Sequence, residues 1–543
     1  MAWFGIRLGL AAAALLAATP AAEAAWLKAE SDNFIVYAEG KEARLRQHVT
    51  LLEDYDELLR ALTGVASQAS PRKLEVYLVR GIGQLRTVRP LGSDVLGFYS
   101  ATPDGIAAFA DMGGYNVVFG GDDVLLHEYA HHFMLQYFPA AYPPWYAEGF
   151  AEYMMTAEFK PNQIEFGRYN RSRASWLAYR DGWLSMDELL FSDPAELDAP
   201  YFYAQSWLTV HYLLRDPARS AALTKFLVAT SRGEEPRKAF RRAFQMSPAE
   251  LGQALQRYAV RGLTYTRVTR ESAASPPRIT VTQLPASADD LLLLEAALER
   301  GVGKKLHKSV LNRVRRAAAR YADDPLARRV RARAEALLGD GAVADRLLEP
   351  LLAASPGDAE LLYIKGMRYL VAGRADEATR RQHFRHARIW FARAHKADAD
   401  HFPTLFRYAE SFSSEPSFVS ENTTNILLLA HSLAPQVGEI SLQAGQMLLR
   451  RGKYGEAEAL LAPLAASPHA GKFKKAAAAL LAKARAREQN AEMLPFGIST
   501  DEDEDRASVG GIAGLQRGPA LLSPIGALRR MHAPWTGTSA IWH

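Results

Sequence analysis

The run His127-Glu128-Tyr129-Ala130-His131 places two histidines four residues apart with an acid beside the first. On an α-helix that separation leaves two side chains about 40° apart around the axis, so both imidazoles address one point in space. A second cluster follows at Trp145-Tyr146-Ala147-Glu148-Gly149-Phe150-Ala151-Glu152-Tyr153. Sixteen residues separate His131 from Glu148, enough for a turn and an antiparallel return. The spacing therefore predicts a helical hairpin whose facing sides bring two imidazoles and a carboxylate together. Pro139, Pro143 and Pro144 mark its break. Asp122 and Asp123 are expected to cap the first helix, which runs to about Tyr137.

Neutral imidazole and carboxylate suit a borderline cation such as Zn2+, and a catalytic zinc keeps three protein ligands and one water. His127, His131 and Glu148 are the expected ligands. Glu128 points about 100° away from His127, outside the ligands' line of approach. It is expected to take a proton from metal-bound water and pass it to a leaving amine. Glu152, one turn after Glu148, either replaces it as ligand or accepts the N–H of a ligating histidine. His132 is rotated by about 100° from His131 and is read as structural or facing solvent.

These two motifs resemble those of the gluzincin (peptidase MA-like) zinc metallopeptidases, where His-Glu-x-x-His precedes a distal glutamate in a Trp-x-x-Glu-Gly setting. The likeness is specific at the motifs and spans about residues 30–260. It implies an α+β zincin-like metallopeptidase domain acting on a polypeptide substrate. It also implies a tyrosine or histidine that stabilises the oxyanion: Tyr203 is the candidate, with Tyr201 and His211 behind it. An edge strand holding the substrate backbone by strand addition is implied too, at 106–110 or 117–119. The interval between His131 and Glu148 is shorter than in the aminopeptidase branch, and no Gly-x-Met-Glu-Asn motif is present. Exopeptidase activity is therefore not implied.

At 543 residues the chain exceeds one ordinary core. Arg7, an apolar run over 8–18 and the small-residue site Ala22-Glu23-Ala24 have the layout of a secretory signal over 1–25. An uncleaved anchor is the other reading. The run is too short to span a bilayer and no later stretch is apolar enough, so no stable membrane insertion is expected. With no cysteine, disulfides, thiol catalysis and cysteine ligands are excluded, and a periplasmic or secreted protein held by packing is expected. The formal net charge of +5 is small for this length, and the arginines spread along helical segments, so no nucleic-acid partner is expected.

A peptidase-like domain is expected over 26–270, with a strand at 33–37, a helix ending near Gly64, an alternating strand over 73–79 and a further short run at 106–110. The Pro/Ser-rich stretch 271–288 reads as a linker. Beyond it, over 289–490, three segments share small residues where two helices cross, a large residue opposite and a closing proline. They carry Ala332, Ala344 and Leu348; Gly366, Ala387 and Phe391; and Gly445, Ala457 and Leu461. Antiparallel pairs of about 34 residues need that spacing. The segments resemble tetratricopeptide (TPR) repeats, implying an all-α solenoid that docks a protein partner. An ordinary helical bundle is the alternative. About nine extra residues at 377–386 predict a longer helix or an inserted turn there. The acidic and Gly/Pro/Ser-rich end, 491–543, is expected to be a disordered tail. The function expected is that of an exported zinc-dependent metallopeptidase; the alternative is an inactive metallopeptidase-like scaffold acting through its repeats.

Overall fold

The computed structural model describes residues 26–66, 70, 72–92, 95–113, 121–269, 276–467, 472–490 and 492–497. The expected signal at 1–25, the candidate strand at 117–119 and residues 498–543 of the expected tail lie outside them.

Among the described residues nine strands form two sheets: β1 (Trp26–Glu30), β2 (Phe34–Glu39), β3 (Leu74–Val79), β4 (Gly97–Thr102), β5 (Gly105–Asp111), β6 (Glu158–Lys160), β7 (Gln163–Phe166), β8 (Thr266–Thr269) and β9 (Thr280–Gln283). The large sheet has the order β4-β5-β3-β2-β1-β9, and β6-β7-β8 form the small one. In the large sheet β2, β3 and β5 run parallel, whereas β4, β1 and β9 are antiparallel to their neighbours.

Alternation along the strands separates two cores. Phe34, Val36, Leu74, Val76, Leu78, Ala108 and Ala110 enter the larger one with α1 (Glu42–Thr63), which ends at Gly64 in the left-handed conformation. Tyr77, Val79 and Phe109 enter the other, flanked by Tyr37. On that face Tyr37, Tyr77, Phe109 and Phe98 stack across four strands with centroids 4.8, 4.9 and 4.5 Å apart.

The first part continues through α2 (Ile82–Val88), α3 (Gly121–Tyr137), α4 (Pro144–Met154), α5 (Arg171–Leu177), α6 (Met186–Phe191), α7 (Ala199–Leu214), α8 (Pro217–Ser231), α9 (Pro236–Phe244) and α10 (Pro248–Ala259). The second runs through α11 (Ala288–Arg300), α12 (His307–Ala319), α13 (Pro325–Leu338), α14 (Gly341–Ala354), α15 (Ala359–Ala375), α16 (Arg380–Ala397), α17 (Phe402–Ser411), α18 (Glu421–Leu433), α19 (Gly438–Arg450), α20 (Tyr454–Ala466) and α21 (Lys472–Ala486).

The linker expectation is corrected. Within 271–288 lies β9, paired antiparallel to β1 with Lys28 opposite Thr282. Ala288, Leu292, Leu293, Ala296 and Ala297 of α11 then pack on the aromatic face of the sheet with α2. Thus α11, the first helix of the expected repeat region 289–490, completes the core of the first domain. Pro285 and Ser287 stand at the turn between β9 and α11.

The edge-strand expectation at 106–110 is corrected as well. β5 is bonded on both sides, and β4 is the edge, joined to β5 by a two-residue turn at Pro103-Asp104. β4 escapes a sequence reading because Gly97-Phe98-Tyr99-Ser100-Ala101-Thr102 carries little β-branched character.

The helices from α13 to α20 form a helical-repeat region of stacked antiparallel pairs, closed by α21 against α19 and α20. A Cβ on Gly366 of α15 would lie 2.5 Å from the Phe391 ring of α16, so only glycine admits that ring at the crossing. Ala332, Ala344 and Leu348 likewise share one core cluster. The extra residues at 377–386 lengthen the pair: α15 and α16 have 17 and 18 residues against 14 in both α13 and α14. A further pair, α17 and α18, escaped the sequence pattern because 412–420 stretch its spacing. Among the described residues no helix is long and apolar enough to cross a membrane.

Candidate metal centre

The helix α3 is buried continuously from Val124 to Met134. It begins at Gly121, so Asp122 and Asp123 lie in its first turn rather than at its cap, where their charge still favours the helix N-terminus. Asp122 Oδ1 lies 2.8 Å from His48 Nδ1 of α1. After the break, Pro144 occupies the first turn of α4, where a missing N–H costs nothing.

This hairpin brings the three expected ligands together. His127 Nε2 lies 3.1 Å from His131 Nε2 and 3.3 Å from Glu148 Oε2, and His131 Nε2 lies 3.4 Å from the same oxygen. Zinc with ligands at about 2.0–2.1 Å in tetrahedral array separates them by roughly 3.3–3.4 Å. The donor set also fits a dication by charge. Glu128, Glu148, Glu152 and Arg173 are at most 4 % exposed, and three carboxylates against one guanidinium leave two negative charges. Burying such charges uncompensated costs several kcal/mol each.

Glu152 is placed beside the expected ligands and not among them. Its Oε1 lies 3.5 Å from His127 Nδ1, on the ring edge turned away from His131. Arg173 grips it through Nε to Oε2 at 2.9 Å and Nη2 to Oε1 at 2.5 Å, and Asn170 Nδ2 donates to Oε2 at 3.0 Å. Asn170 Oδ1 also accepts from Arg173 N at 3.1 Å, capping α5. An acid on Nδ1 favours the tautomer that leaves Nε2 free to ligate. Sequence reasoning missed Arg173 and Asn170, since nothing in the irregular 160–200 stretch says that an arginine is internal.

Glu128 is fully buried on α3. Tyr203 is buried, with Arg173 4.8 Å over its ring. Burial first, then the charge of Glu148, pushes its phenol far above the usual range, so it stays a proton donor. α7 approaches closely because a Cβ at Gly149 would lie 2.4 Å from the Ser206 carbonyl oxygen.

The two weaker oxyanion candidates are not brought to the ligands. Tyr201 packs on Trp176, and His211 spends both ring nitrogens, on Tyr258 Oη at 2.8 Å and Gly167 O at 3.0 Å. His132 is buried, its Nδ1 3.0 Å from Tyr99 Oη, and burial lowers its pKa to about 3.

Beside His131 a small pocket is lined by Met134, Leu135, Ala140, Tyr142 and Ala147, with Ser467 of the repeat region as its far wall. Gln436 Nε2 donates to Gln136 Oε1 at 2.7 Å on the same side. No protein-family model and no curated protein matches the chain. Among solved structures it is similar to a thermophilic TPR protein in Thermus thermophilus, at 20 % identity and a TM-score of 0.30. That match covers 36 % of this chain and 100 % of the other.

Proposed function

We propose that the protein is an exported zinc-dependent metallopeptidase that hydrolyses peptide bonds of a polypeptide substrate. The observation that carries this reading is the triangle of His127, His131 and Glu148 donor atoms with sides of 3.1, 3.3 and 3.4 Å. Those three residues would hold Zn2+, which, when bound, lowers the pKa of a coordinated water and polarises the scissile carbonyl.

The chain's own groups supply the rest. Glu128 accepts the proton of the attacking water and returns it to the leaving amine; such a step contributes about 10²- to 10⁴-fold. Tyr203 donates its hydroxyl proton in a hydrogen bond to the oxyanion. The edge of β4 that carries no strand among the described residues, next to α3, offers backbone N–H and C=O groups to an extended substrate. Glu152, fixed by Arg173 and Asn170, orients His127.

Purified full-length protein should cleave an unstructured polypeptide, and Glu128→Gln should abolish cleavage while zinc stays bound. Equal inactivity of both proteins with zinc bound would favour the scaffold reading, in which the repeats carry the role.

A further inference from the structure

Buried polar side chains stand in a row on α19. Glu439, Gln443 and Gln446 follow at i, i+4 and i+7, hence on one helical face, and each is at most 6 % exposed. Buried amides need partners, because an unsatisfied one costs about 1–3 kcal/mol. Here the partner is a stretch of backbone. After α21 the chain returns as a segment without helix or strand over 493–497 that crosses this face and bends at Phe496 and Gly497. Leu494 N donates to Gln446 Oε1 at 2.8 Å, and Gln443 Nε2 donates to the carbonyls of Pro495 at 3.0 Å and Leu494 at 3.3 Å. Gly497 N donates to Glu439 Oε1 at 2.5 Å.

Side-chain selection accompanies this backbone grip. The Phe496 ring lies 5.2 Å from Phe406 of α17 and 5.9 Å from Phe418, within the core shared by α17, α18 and α19. Met493 packs on the same cluster, and Leu494 on the neighbouring one of α19, α20 and α21. Backbone groups read by a polar strip, with pockets for alternate side chains, make up the recognition mode for extended peptides. The expected disordered tail is corrected over these six residues, 492–497, for the same reason: the strip gives their backbone partners.

We propose that the α17–α19 face is a peptide-docking groove, occupied in cis by residues 493–497, and that it takes in trans an extended polypeptide carrying the same Leu-x-Phe pattern. Ala101 and Ile106 of the β4–β5 hairpin pack against the same cluster, so a polypeptide docked there lies beside the edge of the large sheet.

The test uses full-length protein and a fluorescent peptide of residues 491–499. Tethering gives the cis segment an effective concentration of about a millimolar, so wild type should bind the peptide at least about tenfold more weakly than the Leu494→Ala/Phe496→Ala double variant. Adding Gln443→Ala and Gln446→Ala to that variant should lose about tenfold in affinity, and a scrambled peptide should not bind. In wild type, saturating peptide should speed hydrogen exchange at the Leu494 and Gly497 amides. Equal binding to wild type and double variant, equal binding of the scrambled peptide, or unchanged exchange at those amides would overturn the proposal.

Discussion

Asp104, at the tip of the β4–β5 hairpin, and Arg407 of α17, 303 residues later, meet through two hydrogen bonds of 2.9 and 2.7 Å. Tyr363 of α15 donates to the same carboxylate at 2.5 Å. Arg407 also reaches Glu410 at 2.9 Å, and Arg374 binds Glu410 through two contacts of 2.6 Å. The edge strand beside α3 is thus anchored in the helical repeats by a partly buried, charge-balanced group. Asp104→Ala leaves Arg407 with Glu410 alone and should destabilise by about 1–3 kcal/mol, whereas Asp104→Ala with Arg407→Met should cost less than the sum of the two single changes. Urea unfolding of the four proteins measures this; strict additivity would contradict the coupling.

The same carboxylate sets an acid limit. Burial alone would raise the Asp104 pKa, but the charge and hydrogen bonds of Arg407, with Tyr363, hold it below its ordinary value. A depressed carboxyl pKa contributes stability above the unfolded value of about 3.9, lost as pH falls through the folded one. The hairpin anchor should therefore be intact at pH 5 and loosen only well below pH 4, read as exchange of the Gly105 amide.

His211 sends the opposite kind of group to acid sensitivity. Burial first, then nearby Arg215, lowers its pKa to about 4. Because the folded state prefers the neutral ring, its contribution is complete above the unfolded pKa of about 6.5 and falls by roughly 1.4 kcal/mol per pH unit toward 4. Stability measured by urea at pH 7.5 and 5 should drop, and His211→Gln should flatten that slope.

Arg173 grips Glu152, which lies 3.5 Å from Nδ1 of the proposed ligand His127. Arg173→Met leaves that carboxylate without its guanidinium and should weaken zinc affinity about 10- to 100-fold, measured by chelator competition. Arg173→Lys should not restore it, since an ammonium cannot make the two-pronged contact. Affinity within about twofold of wild type in both variants would assign Arg173 to packing alone.

Gly149→Ala tests the approach of α7 to α4. The added Cβ would meet the Ser206 carbonyl oxygen at 2.4 Å, a backbone atom that cannot rotate away. Overpacking of about 1–3 kcal/mol is expected, with α7 and Tyr203 displaced from Glu148. Thermal unfolding gives the first effect, and a fall in turnover with zinc retained gives the second.

The sequence made the hairpin legible because a four-residue interval and a proline break are local facts about a helix. His127, His131 and Glu148 meet as their spacing requires. Arg173, Asn170 and Tyr99 did not show, since their roles depend on which distant element each faces. β9 and α11 hid for a related reason: one short strand and one leucine-rich helix carry no mark of the sheet they complete. The repeat pairs α13/α14, α15/α16 and α19/α20 were readable from small residues at helix crossings. The α17/α18 pair, with a longer connection, was not.

Whether a divalent cation sits between His127, His131 and Glu148 is decided by metal content at equilibrium. After dialysis against nanomolar free zinc, wild type and Glu128→Gln should each hold one zinc per chain by mass spectrometry. Glu148→Ala should hold less than about a tenth of that, as expected when one of three protein ligands is removed. Zinc absent from wild type, or retained equally by Glu148→Ala, would contradict the account.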